Sequence, residues 1–440
     1  GADNLARARA LLDDGIDLLT PAVSEDLSFI QLWRVKAVLA FCHRVRGYLN
    51  RIQGNIPEAV KDYRIAARLW RDTTFLIEQA RTLNDLGFAL SEQGQGADAR
   101  ALVNQALKIL VGLGQYALAG LSVNTLAMIE IKQGNYGDAR HNASRALGLF
   151  RSLQYRRGTG LALIALAEAT RRYSAVQVAS VADKVRLLRE ARDCAWEAVA
   201  IFRESKSETD RLVEAQIEVG CACRDWTRLR RDHPNPIDNV DRLKEESRNA
   251  LEEAATLAGT SILHRHVDAL VNLAWLGQYT RDPNLLSDAA ARAEQAVPQE
   301  YRIDPTTGTA PIDHTTAQRL LWPQLGKLYN LYGSRAFNSY SQAEQSSESA
   351  SESLRQSIRW HALGLEHSAL YSENYQGLVQ AKEHIFSSLN ELSSEALVSV
   401  AQAIESFERG YSIRGSDRAK KSQFRELLES RALWYGANGG

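Results

Sequence analysis

Two asparagines, Asn84 and Asn124, carry the chemistry for which this sequence is best equipped. A side-chain amide offers both a hydrogen-bond donor and an acceptor, so it can pair with a peptide unit whatever side chain that unit carries. Each asparagine lies three residues before a small residue, Gly87 or Ala127, and the two asparagines are 40 residues apart. The residue types and the spacing indicate two copies of one position, each with an amide that is able to pair with a peptide unit. The alternative is structural: each amide bonds the next helix and fixes the angle at which the helices stack.

Catalytic and nucleotide-binding motifs are absent from the sequence. The patterns G-x-x-x-x-G-K-[ST], H-E-x-x-H and G-x-S-x-G do not occur. Cys221 and Cys223 lie in an apolar helical run with no second pair nearby. His264 and His266 are two residues apart, so on a helix they point to different sides. We therefore expect no enzymatic activity, no metal site and no cofactor.

The two asparagines belong to two blocks of sequence that align without a gap. One block is LNDLGFALSEQGQGADARALVNQALKIL, from Leu83, and the other is VNTLAMIEIKQGNYGDARHNASRALGLF, from Val123. Equivalent residues are 40 positions apart throughout. Self-similarity at a fixed period is typical of a repeat architecture, and each block reads as a helix, a short glycine turn and a second helix.

Small residues recur in phase with this period, and packing explains why. Gly47, Gly87, Ala127 and Ala167 follow one another at 40-residue intervals. In the first unit Ala59 stands twelve residues after Gly47, which places the two residues where the helices of one pair cross. A large side chain there would force the helices beyond their usual separation of about 8–10 Å. The pattern therefore predicts a stack of closely crossing helix pairs.

In these blocks the sequence resembles the tetratricopeptide repeat, in its longer version of about 40 residues. The run Asn-x-Leu-(Gly/Ala), a glycine turn and Ala-x(6)-Ala is similar to the repeats of kinesin light chain. It is equally similar to the sensor regions of bacterial signal-transducing ATPase regulators such as the maltose-regulon activator. The likeness is closest from about residue 29 to residue 154 and continues loosely to about 297. It implies an all-α, right-handed superhelical solenoid of helix pairs with degenerate C-terminal capping helices.

The same resemblance implies a binding site. In this family the first helices of successive units line a concave groove that binds peptides and partner proteins, and asparagines equivalent to Asn84 and Asn124 hold the backbone of an extended peptide. Other positions on the same surface, about one turn away, are Tyr48, Arg51, Arg81, Phe88, Ser91, Met128, Glu168 and Arg171.

Breaks in the periodicity divide the chain. We predict an N-terminal capping helix (1–28), a repeat solenoid (29–297), a loop (298–315) and degenerate C-terminal helical repeats with a cap (316–440). Extra residues near 174–182 and 229–240 interrupt the spacing of the later units. They are either solvated turn extensions or part of a functional face, since inserts in solenoids usually emerge on one side.

Composition limits the choice of partner. Lys plus Arg and Asp plus Glu both number 53, so no net field attracts nucleic acid or an acidic membrane. No run approaches 18 apolar residues and no signal-peptide pattern begins the chain, so we expect a cytoplasmic location. We predict a recognition region, the sensor or docking part of a larger bacterial regulator. The alternatives are a free-standing adaptor and, less favoured, a regulatory region attached to a protease or nuclease. The oligomeric state stays open.

Overall fold

The computed structural model describes residues 2–298 and 316–343, apart from 25–26, 54, 94, 206–207 and 235–238, together with parts of 349–360. In this part of the chain fourteen helices have defined bounds, the described residues of 349–360 are also helical, and there is no strand. Their bounds are α1 (Ala2–Ala22), α2 (Phe29–Ile52), α3 (Ile56–Arg71), α4 (Leu76–Glu92), α5 (Gly96–Gly112), α6 (Tyr116–Gln133), α7 (Tyr136–Ser152), α8 (Arg156–Val176), α9 (Val181–Arg203), α10 (Thr209–Asp232), α11 (Val240–Ala258), α12 (Leu263–Thr280), α13 (Pro283–Ala296) and α14 (Thr316–Gln342).

From α2 onward the helices form consecutive pairs. The first helices of the pairs, which we call A helices, are α2, α4, α6, α8, α10 and α12, and the second or B helices are α3, α5, α7, α9 and α11. Each A helix packs against its own B helix, and each B helix packs against the next A helix. Successive A helices also contact one another, whereas successive B helices do so much less. The A helices therefore line the inner, concave side and the B helices the outer, convex side. The predicted all-α solenoid of helix pairs is confirmed.

The small residues at the helix crossings pack as the sequence predicts. A Cβ atom added to Gly47 would stand 3.0 Å from the Tyr63 ring and 3.3 Å from the carbonyl oxygen of Ala59. At Gly87 the added atom would lie 2.6 Å from a methyl group of Val103. Later pairs repeat this close approach, since a Cβ on Gly220 would meet Leu251 at 2.4 Å. Side chains larger than hydrogen would push these helices apart.

Local signals account for several helix starts. Ser28 and Gln31 form a capping box that begins α2, with each side chain accepting from the other's backbone N–H. Pro57 occupies the first turn of α3, where a proline sacrifices no helical hydrogen bond. At the start of α9 the hydroxyl of Ser180 accepts from the backbone N–H of Asp183.

The extra residues in the later units lengthen helices. Helices α3 to α7 contain 16 to 18 residues, whereas α8, α9 and α10 contain 21, 23 and 24. Only residues 177–180 separate α8 from α9. Of the residues near 174–182, most are therefore helical, and the interpretation of this insert as a turn extension is wrong. Residues 235–238, in the second insert, lie outside the described part.

The chain forms two compact units. The first comprises Gly1–Ala289 with Thr315–Leu320, and the second comprises Ala290–His314 with Leu321–Gly440. In the second unit the rings of Tyr329 and Tyr332 contact Trp360, at centroid distances of 5.5 and 5.0 Å. The predicted loop at 298–315 lies outside the described residues after Pro298, as do the helices predicted beyond residue 360.

Candidate functional site

The repeat register shows which side chains share a place on the concave side. We count positions from the small crossing residue of each A helix, which is residue 47, 87, 127, 167, 220 or 274. Asn84 and Asn124 occupy position −3 of α4 and α6. Tyr48, Phe88 and Met128 occupy position +1 of α2, α4 and α6. We call the side of these three helices that carries these five residues the concave face.

Both asparagines retain unused hydrogen-bonding capacity. The side-chain carbonyl oxygens of Asn84 and Asn124 are buried and have no hydrogen-bond partner. Among the described residues, neither amide bonds the neighbouring helix. A buried polar atom without a partner costs about 1–3 kcal/mol, so such atoms are normally satisfied by water or by a ligand. The hydrogen bond that the structural alternative requires is thus missing from the described contacts.

Two cations and two aromatic rings meet beside the amides. The Arg51 guanidinium lies 5.6 Å from the centre of the Tyr48 ring and 5.0 Å from that of Phe88. The Lys132 ammonium approaches the Phe88 ring to 4.4 Å. Both cations also face one oxygen of Glu92, Arg51 at 3.8 Å and Lys132 at 3.4 Å. These five residues, which we call the cation–aromatic cluster, join α2, α4 and α6 across the concave face.

Lys132 and Glu92 were not among the residues predicted from the sequence. The register contains the signal, because residue 92 and residue 132 both occupy position +5 of their helices. A carboxylate and an ammonium at one position of adjacent A helices are placed to pair. The other oxygen of Glu92 is buried without a hydrogen-bond partner.

Sequence comparison supports the repeat assignment directly. Residues 42–110, which include Asn84 and every cluster residue except Lys132, match the family model described as the tetratricopeptide repeat. Residues 42–110 are tetratricopeptide repeats. No curated protein matches this sequence.

Several solved structures are similar to 57% or more of this chain. BtubC from P. vanneervenii is 16% identical over 57% of this chain and 90% of its own, with a TM-score of 0.41. A Rap protein complexed with competence and sporulation factor is 14% identical over 80% of each chain, with a TM-score of 0.47. The apo form of the quorum sensor NprR from B. thuringiensis is 13% identical over 92% of this chain and 97% of its own, with a TM-score of 0.48. At TM-scores this low the similarities support no argument about function.

Of the remaining predicted residues in the tetratricopeptide repeats, Arg81 and Ser91 have local partners. Arg81 binds Glu78 on its own helix at 3.0 Å, and Glu78 also accepts from Arg44 of α2 at 2.9 Å. Ser91 is fully buried, and its hydroxyl donates to the backbone oxygen of Phe88 at 2.6 Å. The interpretation of Ser91 as an accessible groove residue is therefore wrong.

The remaining predicted site residues follow residue 110 in the chain. Met128 packs against apolar residues, and the two polar residues form hydrogen bonds with other polar side chains. Met128 is half-buried against Ile131, Ala139 and Ala169. Glu168 accepts from Arg172 at 3.0 Å. The Arg171 guanidinium is buried and donates to Glu218 at 3.1 Å and to Asp225 at 3.2 Å. Burial opposes the charge of Arg171, yet the carboxylate of Glu218 raises its pKa well above the ordinary value.

Helices α10 and α12 continue this pattern. Arg224 donates to Asn272 and to Asp225, while Arg211 and Arg265 both donate to Glu214. Burial alone would raise the pKa of Glu214, but the charges of Arg265 and Arg211 lower it to about 2. Positions −3 and +1 of these two helices are buried, and they hold Ile217, Cys221, Val271 and Trp275. Positions −3 and +1 of α10 and α12 therefore do not continue the row of partly exposed side chains found at these positions of α2, α4 and α6.

In the described part of the chain, no group of three or more His, Cys, Asp and Glu side chains is arranged to hold a metal ion. Among the same residues, no helix combines the length and the apolar character needed to cross a bilayer.

Proposed function

We propose that the concave face binds an extended segment of a protein or peptide partner. The observation that carries this proposal is the pair of unsatisfied amide oxygens on Asn84 and Asn124, one repeat apart on adjacent A helices. Peptide N–H groups of a partner would give these acceptors the bonds they lack, and the amide NH₂ groups would bind carbonyl oxygens. The two asparagines would then bind the backbone of the partner and not its side chains. Such binding suits recognition of an extended segment.

The spacing of the helices supports an extended partner. Packed helices lie about 8–10 Å apart. An extended chain advances about 3.3 Å per residue, so about three residues separate the peptide units that reach the two amides. Position +1 of the same helices presents Tyr48, Phe88 and Met128 at the same interval. A partner segment with apolar side chains at every third residue would match this row.

The cation–aromatic cluster contains aromatic and arginine side chains, which are the types that contribute most to binding at protein interfaces. Tyr48 is 49% exposed, which leaves about half of this side chain available to a partner. Arg51 and Lys132 hold the Phe88 ring from two neighbouring helices, so the ring needs little further ordering on binding. Aromatic and arginine side chains dominate the binding energy of protein interfaces.

We assign this recognition to a non-enzymatic sensing or docking region of a larger bacterial regulator in the cytoplasm. The resemblance of the blocks at 83–110 and 123–150 to sensor regions supports the assignment. The balanced formal charge of +0 favours a protein partner over nucleic acid. The complete reading frame distinguishes the regulator, which adjoins an ATPase or effector, from an adaptor, which does not.

Selection from a display library tests the binding itself. Random twelve-residue peptides would be selected on the immobilised chain, and the affinity of the recovered peptides measured by fluorescence anisotropy. The variant N84A/N124A should bind them roughly 5- to 150-fold more weakly, because each amide contact contributes about 0.5–1.5 kcal/mol. The control is N104A, which removes an exposed amide from α5 on the convex side and should leave affinity unchanged. Equal affinities of the double variant and the control would contradict the proposal.

A further inference from the structure

Three arginines form an unpaired stripe on the convex side of α3. Arg64, Arg68 and Arg71 are four and three residues apart, so they share one face of the helix over about 10 Å. All three are exposed, and this face is opposite the one that buries Ala59, Tyr63 and other core residues. None of the three guanidinium groups has an ion pair or hydrogen bond with the described residues.

Some arginines on the convex side of the later pairs form ion pairs with the next B helix. Arg151 of α7 binds Glu197 of α9 at 2.8 Å, and Arg203 of α9 binds Glu253 of α11 at 2.6 Å. These ion pairs bridge successive B helices. The arginines of α3 lack such a bridge because the exposed residues along the middle of α5, the next B helix, are not acidic. They are Ala101, Asn104, Gln105 and Lys108.

Acidic side chains close to the stripe along the chain are already engaged. Glu58 lies 3.6 Å from Lys61, and Asp72 binds Lys36 at 2.7 Å. Like charges four residues apart on a helix repel one another. Placement near the helix end favours the two arginines in the last turn, Arg68 and Arg71, through the helix dipole. It does not account for Arg64, which lies a turn earlier.

We propose that this stripe is a second docking surface, which binds an acidic segment of a protein partner. A guanidinium group presents parallel N–H donors that match the two oxygens of a carboxylate. Aspartate or glutamate side chains of the partner would therefore supply the paired bonds that later B helices obtain from one another. The surface lies on the opposite side of the helix pairs from the concave face, so the proposal does not depend on binding there.

Charge favours an acidic protein segment over nucleic acid. Domains that bind nucleic acid usually have a pI above about 9 and a basic surface that follows several phosphates. This chain has a sequence pI of about 7.3 and a formal net charge of +0. Attraction is thus confined to one short stripe, which suits a few carboxylates better than a long phosphate backbone.

Binding of a fluorescent ten-residue polyglutamate peptide to the full chain tests the proposal. Anisotropy would be measured at low ionic strength for the wild type, for R64Q/R68Q/R71Q and for the matched control R151Q/R156Q/R203Q. The control removes the same charge from exposed arginines that pair with Glu197, Glu204 and Glu253. We expect at least a tenfold loss of affinity in the stripe variant, less than a twofold loss in the control, and a thermal unfolding midpoint that does not change in either.

Three results would overturn the proposal. Equal losses in the stripe variant and the control would show that only the total charge matters. A similar loss in N84A/N124A would place the acidic peptide in the concave face, whereas polyglutamate binding that survives in this variant is the expected result. Tighter binding of a 20-nucleotide oligothymidylate than of polyglutamate, lost in the stripe variant, would make nucleic acid the partner.

Discussion

The early pairs (α2 to α7) and the late helices (α8 to α12) use the same repeat register for different purposes. At positions −3 and +1 the early A helices hold the half-buried side chains of Asn84, Asn124 and Phe88, and the buried amide oxygens of the two asparagines lack partners. The same positions of α10 and α12 are buried and apolar. On the convex side, Arg64, Arg68 and Arg71 of α3 have no ion pair with the described residues, while Arg151 of α7 and Arg203 of α9 bind glutamates of the next B helix.

One pair of register positions shows how the early and the late A helices come to differ in their contacts. Position +4 of an A helix faces position −2 of the next A helix. From α8 to α10 these positions hold Arg171 and Glu218, which bind each other. From α4 to α6 they hold Ser91 and Thr125, and each hydroxyl bonds the backbone of its own helix. Long charged side chains thus join α8 to α10, whereas short hydroxyls leave α4 and α6 without a charged bridge at these positions.

Removing a buried charge from the late helices should cause the largest loss in the free energy of unfolding. In Arg171→Met the carboxylates of Glu218 and Asp225 lose their common partner inside the fold. Breaking a buried ion pair from one side typically costs about 3–5 kcal/mol. Chemical denaturation should show a loss of this size in the free energy of unfolding. The matched control, Ser91→Ala, changes the same register position of α4 and should cost less than about 1 kcal/mol. Similar losses of unfolding free energy in the two variants would contradict the difference between the early and the late helices.

Acid should weaken the late helices through Glu214. The pKa of this carboxyl in the folded chain is about 2, below its ordinary 4.5. A lowered pKa stabilises the fold at pH values above 4.5, and this stabilisation is lost as the pH falls from 4.5 towards 2. Each pKa unit corresponds to about 1.4 kcal/mol. The wild type should therefore be more stable than Glu214→Gln by about 3 kcal/mol at pH 6, and the difference should shrink at pH 3. A difference that stays constant between these pH values would exclude this role for Glu214.

The sequence predicts the early pairs well because their spacing is regular. A constant interval of 40 residues places Gly47, Gly87 and Ala127 at helix crossings, and the asparagines follow from the same phase. The contacts of the late helices are harder to predict from the sequence. The interval from residue 167 to residue 220 is 53, so no fixed offset aligns Arg171 with Glu218. Extra residues could equally extend a turn or a helix, and only packing decides between them.

Burial is the other property that the sequence does not provide. Residue type alone does not distinguish Ser91, which is enclosed, from Phe88, which is half-buried on the same helix. The cluster at Glu92 and Lys132 depends on contact between three helices from three different repeats. The lack of a partner for Asn84 and Asn124 likewise depends on what surrounds each amide, and a pattern of residue types does not show this.

The central claim is that the amides of the early pairs serve recognition, whereas the amides of the late helices serve stability. The variant with the smallest expected change in stability tests this claim most directly. The measurement compares the free energy of unfolding of N84A/N124A with that of Asn272→Ala. Asn272 is buried, and it bonds Asp268 and Arg224. Its removal leaves buried groups unpaired and should cost about 1–3 kcal/mol. The double variant should be unchanged, or more stable by up to about 1 kcal/mol, because alanine is the better helix former and no bond is lost. Destabilisation of N84A/N124A by as much as Asn272→Ala would contradict the account.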